Sequence, residues 1–204
     1  MRHLIFAGAV LLLFTSEVSA QRFGLTAGTN FQRLTDVDLN SVETVFEEQS
    51  GWHAGAWFEV PVGPVGMRLA GRYLEAGRLF NGLEENFPIV NDNFDISLVD
   101  LSLLLRYGLK SPIIAPYVFA GPTFRIPARV DKIINNDLAS LSYALEFGGG
   151  IEFNIGSLSL YPEVAYLLGL STFIEDELVL DFVTLTAGDT QRLNSIIVRL
   201  SVGL

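Results

Sequence analysis

The chain has 204 residues, half of them hydrophobic, with 13 Lys and Arg against 23 Asp and Glu for a net charge of −10. It has no cysteine, which excludes a disulfide framework, a thiolate metal site and a cysteine-anchored lipoprotein. The acidic balance argues against a nucleic-acid partner, because phosphate contacts need clustered Lys and Arg, and no run of 18 apolar residues offers a transmembrane helix.

Met1-Arg2-His3 is a basic start, residues 4–14 are an apolar core, and Val18-Ser19-Ala20 is a small-residue cleavage site before Gln21. These parts predict a secretory signal peptide over 1–20 and a mature chain over 21–204 that leaves the cytoplasm. From there alternation dominates. Residues 22–32 set Phe23, Leu25, Ala27, Thr29 and Phe31 against Gly24, Thr26, Gly28 and Asn30, a first strand. Residues 33–50 form a long acidic connection, in which Leu39, Val42 and Phe46 fit a short helix. A second strand over 51–61 sets Trp52, Ala54, Ala56, Phe58 and Val60 against His53, Gly55, Trp57 and Glu59. A short turn at Gly63-Pro64 leads into a third strand from Gly66, running as far as Phe80, with Met67, Leu69 and Tyr73 opposite Arg68, Ala70 and Arg72. That turn pairs Val60 with Met67 and therefore Glu59 with Arg68.

Residues 81–93 are a second long connection, and 94–107 a fourth strand, with Val99, Leu101, Leu103, Leu105 and Tyr107 against Asp100, Ser102, Leu104 and Arg106. After a modest turn over 108–115, residues 116–127 make a fifth strand. Its apolar positions Val118, Ala120, Pro122, Phe124 and Ile126 are assigned outward, and Tyr117, Phe119, Gly121, Thr123 and Arg125 inward. Residues 128–140 are a third connection.

Residues 141–170 are a hairpin. Its first strand places Tyr143, Leu145, Phe147, Ile151 and Phe153 opposite Ser142, Ala144, Glu146 and Glu152, and Gly156-Ser157 supplies a two-residue turn with Gly first. The second strand carries Leu160, Pro162, Val164, Tyr166 and Leu168 against Tyr161, Glu163, Ala165 and Leu167. The turn pairs Ile155 with Leu158, Phe153 with Leu160 and Phe147 with Tyr166, so the two greasy parities meet. Pro162 cannot donate a ladder bond, and a local bulge or distortion is expected there. Residues 172–191 are a fourth long connection, with an extra strand segment at 178–186, and 192–204 an eighth strand, with Ile196, Val198, Leu200 and Val202 against Ser195, Arg199 and Ser201.

Eight strands joined by alternately long and short connections are the pattern of an all-β, eight-stranded, antiparallel transmembrane up-and-down barrel of a Gram-negative-type outer membrane, with its termini in the periplasm. A soluble lipocalin-like carrier alternates in the same way but wants an apolar lumen, whereas here the polar face carries Arg and Glu. The outward Trp52, Tyr73, Tyr107, Tyr143 and Tyr166 suit interfacial anchoring in outer-membrane lipid.

The stretches PYVFAGPTF (116–124), GGGIEF (148–153), PEVAYLLGL (162–170) and the terminal SVGL (201–204) resemble the PorT-like outer-membrane β-barrel domain family over about the whole mature chain. The resemblance implies an eight-stranded barrel related in architecture to small OmpA/OmpX-type barrels, with no shared catalytic residues and with some relatives in secretion or gliding machinery. The C-terminal strand would be the signal for the barrel-insertion machinery, although Leu204 stands where an aromatic residue is usual.

The inward charges expected in the lumen are Glu59, Asp100, Glu146, Glu152 and Glu163 against Arg68, Arg72, Arg106, Arg125 and Arg199. Five acids and five bases can pair around the wall as a salt-bridged plug, since eight strands leave an interior that side chains fill. A selectivity filter is the competing use of the same residues. His53, the one histidine after the signal segment, is expected at the rim. It lacks a second histidine and a placed Ser nucleophile, so no catalytic site, cofactor or metal is assigned. The acidic connections 33–50 and 172–191, with five carboxylates each, are the expected contact with a protein partner. The expectation is a monomeric, non-enzymatic structural or interaction protein. A small-solute, porin-like pore or a component of a secretion or gliding machinery is the alternative.

Overall fold

The computed structural model describes residues 21–34, 37–39, 42–44, 49–62, 64–77, 96–109, 111, 113–129, 139–172, 177–180, 183–186 and 192–204. The signal segment lies outside them. The described strands are β1 (Arg22–Leu34), β2 (Val37–Leu39), β3 (Val42–Thr44), β4 (Gln49–Val62), β5 (Val65–Gly77), β6 (Ile96–Gly108), β7 (Ile114–Arg129), β8 (Ser142–Ile155), β9 (Leu158–Gly169), β10 (Glu177–Leu180), β11 (Val183–Thr186) and β12 (Leu193–Gly203). Eight of them close an antiparallel barrel in the order β1-β12-β9-β8-β7-β6-β5-β4, while β2–β3 and β10–β11 are separate two-stranded ribbons in the connections. The barrel is an up-and-down meander whose last strand pairs with its first. Closure removes both sheet edges, which lets every strand satisfy its backbone groups without water.

The wall is sorted the opposite way from a soluble protein. Leu25, Leu69, Leu105, Val118 and Val164 are exposed on the outside, while Arg72, Asp100, Arg125 and Glu146 are buried within. An apolar surface around a polar interior is stable only where the surrounding solvent is hydrocarbon. On β7, Tyr117, Phe119, Thr123 and Arg125 are buried and Val118, Ala120, Pro122, Phe124 and Ile126 exposed, which settles that strand's phase inward for Arg125. Aromatic pairs gather on the outer face toward the long connections: Trp52–Tyr73 at 5.9 Å, Phe124–Tyr143 at 5.6 Å and Phe147–Tyr166 at 5.5 Å between ring centroids. Phe23 and Tyr107 stand exposed near the short turns. Rings at two levels mark two membrane–water interfaces.

Register is set by the turns. Gly156 has φ 65°, the positive value a two-residue primed turn requires, and Ile155↔Leu158, Phe153↔Leu160 and Phe147↔Tyr166 follow from it. Val60↔Met67 and Glu59↔Arg68 follow likewise from the β4–β5 turn.

One expectation is corrected. Where a short helix was expected in 33–50, the described residues form the ribbon β2–β3. The β-branched Val37, Val42 and Thr44 around Asn40-Ser41 favour a hairpin over a helical turn. The expected extension of β5 beyond Gly77 to Phe80 lies outside the described residues. At Pro162 the expected distortion is a lapse in the ladder, without a bulge or register shift. The β8–β9 ladder lapses between Gly150↔Glu163 and Phe153↔Leu160 and resumes in register, while Leu200↔Pro162 holds on the other side. The missing donor therefore falls toward β8, and the loss stays local because β12 keeps the strand straight. The extra segment expected at 178–186 is the ribbon β10–β11.

Candidate functional site

Inward parity on eight strands brings a set of charges into the lumen. Glu59 comes from β4, Arg68 and Arg72 from β5, Asp100 and Arg106 from β6, Arg125 from β7, Glu146 and Glu152 from β8, Glu163 from β9 and Arg199 from β12. All but Arg106 are buried, and the Arg106 side chain is only 11% exposed.

These groups join into one alternating chain. Arg22 Nη1 meets Glu152 at 2.7 Å, and Glu152 meets Arg106. Arg106 Nη1 lies 2.9 Å from Glu59, whose other oxygen takes the Nε of Arg68 at 2.9 Å. Arg68 reaches Glu163 at 2.5 Å, and Glu163 meets Arg199. Arg199 lies 2.8 Å from Glu146, and Glu146 2.6 Å from Arg72. Arg72 approaches Asp100 at 3.7 Å, and Asp100 lies 3.3 Å from Arg125. The ladder runs from the short-turn end of the barrel, where Arg22 begins β1, to Arg125 near the long-connection end of β7.

Neutral groups complete it. The Tyr117 hydroxyl donates to Glu163 at 2.6 Å, and Ser102 Oγ donates to Glu146 at 3.0 Å. Arg125 donates to the Leu193 carbonyl at 3.1 Å and to Ser195 Oγ at 2.9 Å. Guanidinium planes rest on rings, with Arg106 3.9 Å from the Tyr117 centroid, Arg68 4.5 Å from Trp57 and Arg199 5.1 Å from Phe119. Such contacts are strongest where both groups are out of water.

Arg22 is absent from the ten residues expected in the lumen, and so are Tyr117, Ser102, Trp57 and Tyr161 as supports. The signal for Arg22 is its even number on a strand whose even residues face inward. His53 is not at the rim. It is 1% exposed, opposite Gly28 and Leu74, because β4 begins at Gln49 and carries His53 four residues into the wall. Neither ring nitrogen has a hydrogen-bond partner among the described residues, so within them the ring is linked to no nucleophile or orienting carboxylate. No cluster of three or more His, Cys, Asp and Glu among the described residues is arranged to hold a metal ion.

An interior filled by paired charges inside an apolar closed wall defines an eight-stranded β-barrel of the outer-membrane type. No family model matches the chain, and no curated protein matches it in sequence. Among solved structures it is similar to Neisserial surface protein A (TM-score 0.55, 11% identity, covering 89% of this chain and 96% of that one). It also matches a major outer membrane protein from Thermus thermophilus (TM-score 0.47, 18% identity, covering 90% and 98%). A third match is the N-terminal barrel of Pseudomonas aeruginosa OprF (TM-score 0.44, 12% identity, covering 90% and 97%). At these identities the likeness is one of fold, and only the first match is close enough to support it.

Proposed function

We propose that this protein is a non-enzymatic barrel of the outer membrane that acts as a structural or interaction protein, with its lumen closed and its long connections facing outward to a partner. The observation that carries the closed-lumen reading is the ladder. Ten ion-paired links run the length of the barrel without a break, and a solute would have to part several buried pairs to pass. The non-enzymatic reading is supported by the five lumen carboxylates of the ladder, each of which has an arginine nitrogen within 3.3 Å. Orientation follows from connection length, with short turns in the periplasm and long acidic connections outside. Membership of the PorT-like family rests on the four sequence stretches alone.

The test of closure is electrical. The mature protein, reconstituted in a planar bilayer, should give no steady conductance. Sustained single-level openings would refute the closed lumen and leave the small-solute pore as the reading.

A further inference from the structure

The ladder begins and ends on arginine. Among the described residues it holds six guanidinium groups and five carboxylates. Arginine does not lose its proton in a protein, so the ladder carries one positive charge more than its carboxylates. The two ends differ in how they bear it. Arg125 is 1% exposed and held by Asp100, the Leu193 carbonyl and Ser195. The Arg22 side chain is 44% exposed. Its Nη1 serves Glu152 and, at 3.4 Å, the Tyr161 hydroxyl.

Arg22 opens into a cavity of about 880 Å3 at the short-turn end of the barrel. Arg22, Glu59, Arg106 and Glu152 are its charged side chains, and Leu204 lines it as well. Asn154 and Ser157 stand at the rim. Ser159 Oγ donates to Asn154 Oδ1 at 2.6 Å, which leaves the Asn154 amide nitrogen as a second donor in the cavity lining. The volume is that of a small-molecule site, roughly 300–1,000 Å3.

We propose that this cavity binds a small organic anion, a carboxylate or a phosphate monoester, whose charged group takes the place of a sixth acid against Arg22. A guanidinium fork matches either group with two parallel hydrogen bonds. Glu59 and Glu152 are already engaged by arginines and repel a second charge less than free carboxylates do. Access is from the short-turn side, because Leu74, Ile96 and Leu98 lie fully buried toward the other end.

The test uses the folded protein in phosphatidylcholine nanodiscs with benzoate, phenyl phosphate and the neutral benzamide as probes, followed by backbone amide NMR. Benzoate or phenyl phosphate should give saturable shifts at residues 21–24 and 154–157, and benzamide none. Arg22→Gln should weaken binding about ten-fold or more, the effect of one lost charge-assisted contact. Arg22→Lys should retain part of it. No saturable shift with either anion, equal shifts with benzamide, or unchanged affinity in Arg22→Gln would overturn the proposal. Water or the carboxylate of Leu204, which also lines the cavity, would then meet the charge. Should Arg22→Gln not fold, Asn154→Ala reads the same cavity from its rim, and unchanged affinity there counts against the proposal as well.

Discussion

Glu146 is the most heavily used acid of the ladder. It accepts from both Nη atoms of Arg72 at 3.0 and 2.6 Å, from Arg199 at 2.8 Å, and from Ser102 and Thr123 at 3.0 and 3.2 Å. Buried ion pairs add little net stability against apolar residues of the same shape, but removing one partner leaves the other charge stranded. Glu146→Gln should therefore cost about 3–5 kcal/mol, read as a shift in the urea midpoint of the protein in lipid vesicles. Glu152→Gln should cost less, because its partner Arg22 is half in solvent. Equal losses would mean that depth does not grade the ladder. His53 is the opposite case. Its buried ring has no hydrogen-bond partner among the described residues, so His53→Leu should be neutral or stabilising in the same assay. A loss above about 1 kcal/mol would expose an interaction that the ring makes through water.

At the scale of strands, the large interior residues are accommodated by glycine. A Cβ on Gly203 would lie 2.7 Å from two carbons of the Trp57 ring and 3.2 Å from Tyr161. Trp57 and Tyr161 stack edge to face at 5.4 Å, and Arg68 lies on the Trp57 ring. Thus β12 and β4, which both flank β1, fit only if one is bare where the other is bulky. Gly203→Ala should cost about 1–3 kcal/mol by overpacking. Trp57→Leu, made in the same chain, should relieve that clash, so the double variant should lose less than the two single losses added. Simple additivity in the unfolding midpoints would show that the two sites do not press on each other.

For the whole molecule, the proposed function puts stability and recognition in different parts. The closed ladder of strands and the apolar outer band hold the barrel. Connections 33–50 and 172–191 carry five carboxylates each, and loops on a rigid scaffold commonly carry the contacts with a partner. Replacing both connections by tight Gly/Asn turns should leave folding in detergent or lipid intact, seen as unchanged heat-dependent gel mobility. The same change should abolish capture of any partner the native protein retains. A shortened barrel that folds and still holds the partner would move the contact to the lumen or the short turns.

Alternation by itself determined the strands, their inward and outward faces and the hairpin registers. It therefore also determined the neighbours across a hairpin pair, such as Glu59 with Arg68 and Phe147 with Tyr166. These are local consequences of a period of two and of turn length, and residue types report both directly. Arg22 was passed over although its parity put it inward, whereas His53 was misplaced in depth. A strand's end, and hence the depth of a residue near it, depends on where pairing stops rather than on the parity of the side chain. The tertiary structure alone decided the links across the lumen: Arg68 with Glu163, Arg72 and Arg199 with Glu146, Arg106 and Arg22 with Glu152. Those partners lie on strands that do not pair, and only closure and tilt of the barrel bring them to one height. Counting inward charges found five acids and five bases, but which acid serves which base, and the sixth arginine left over at the mouth, follow from the closed three-dimensional wall.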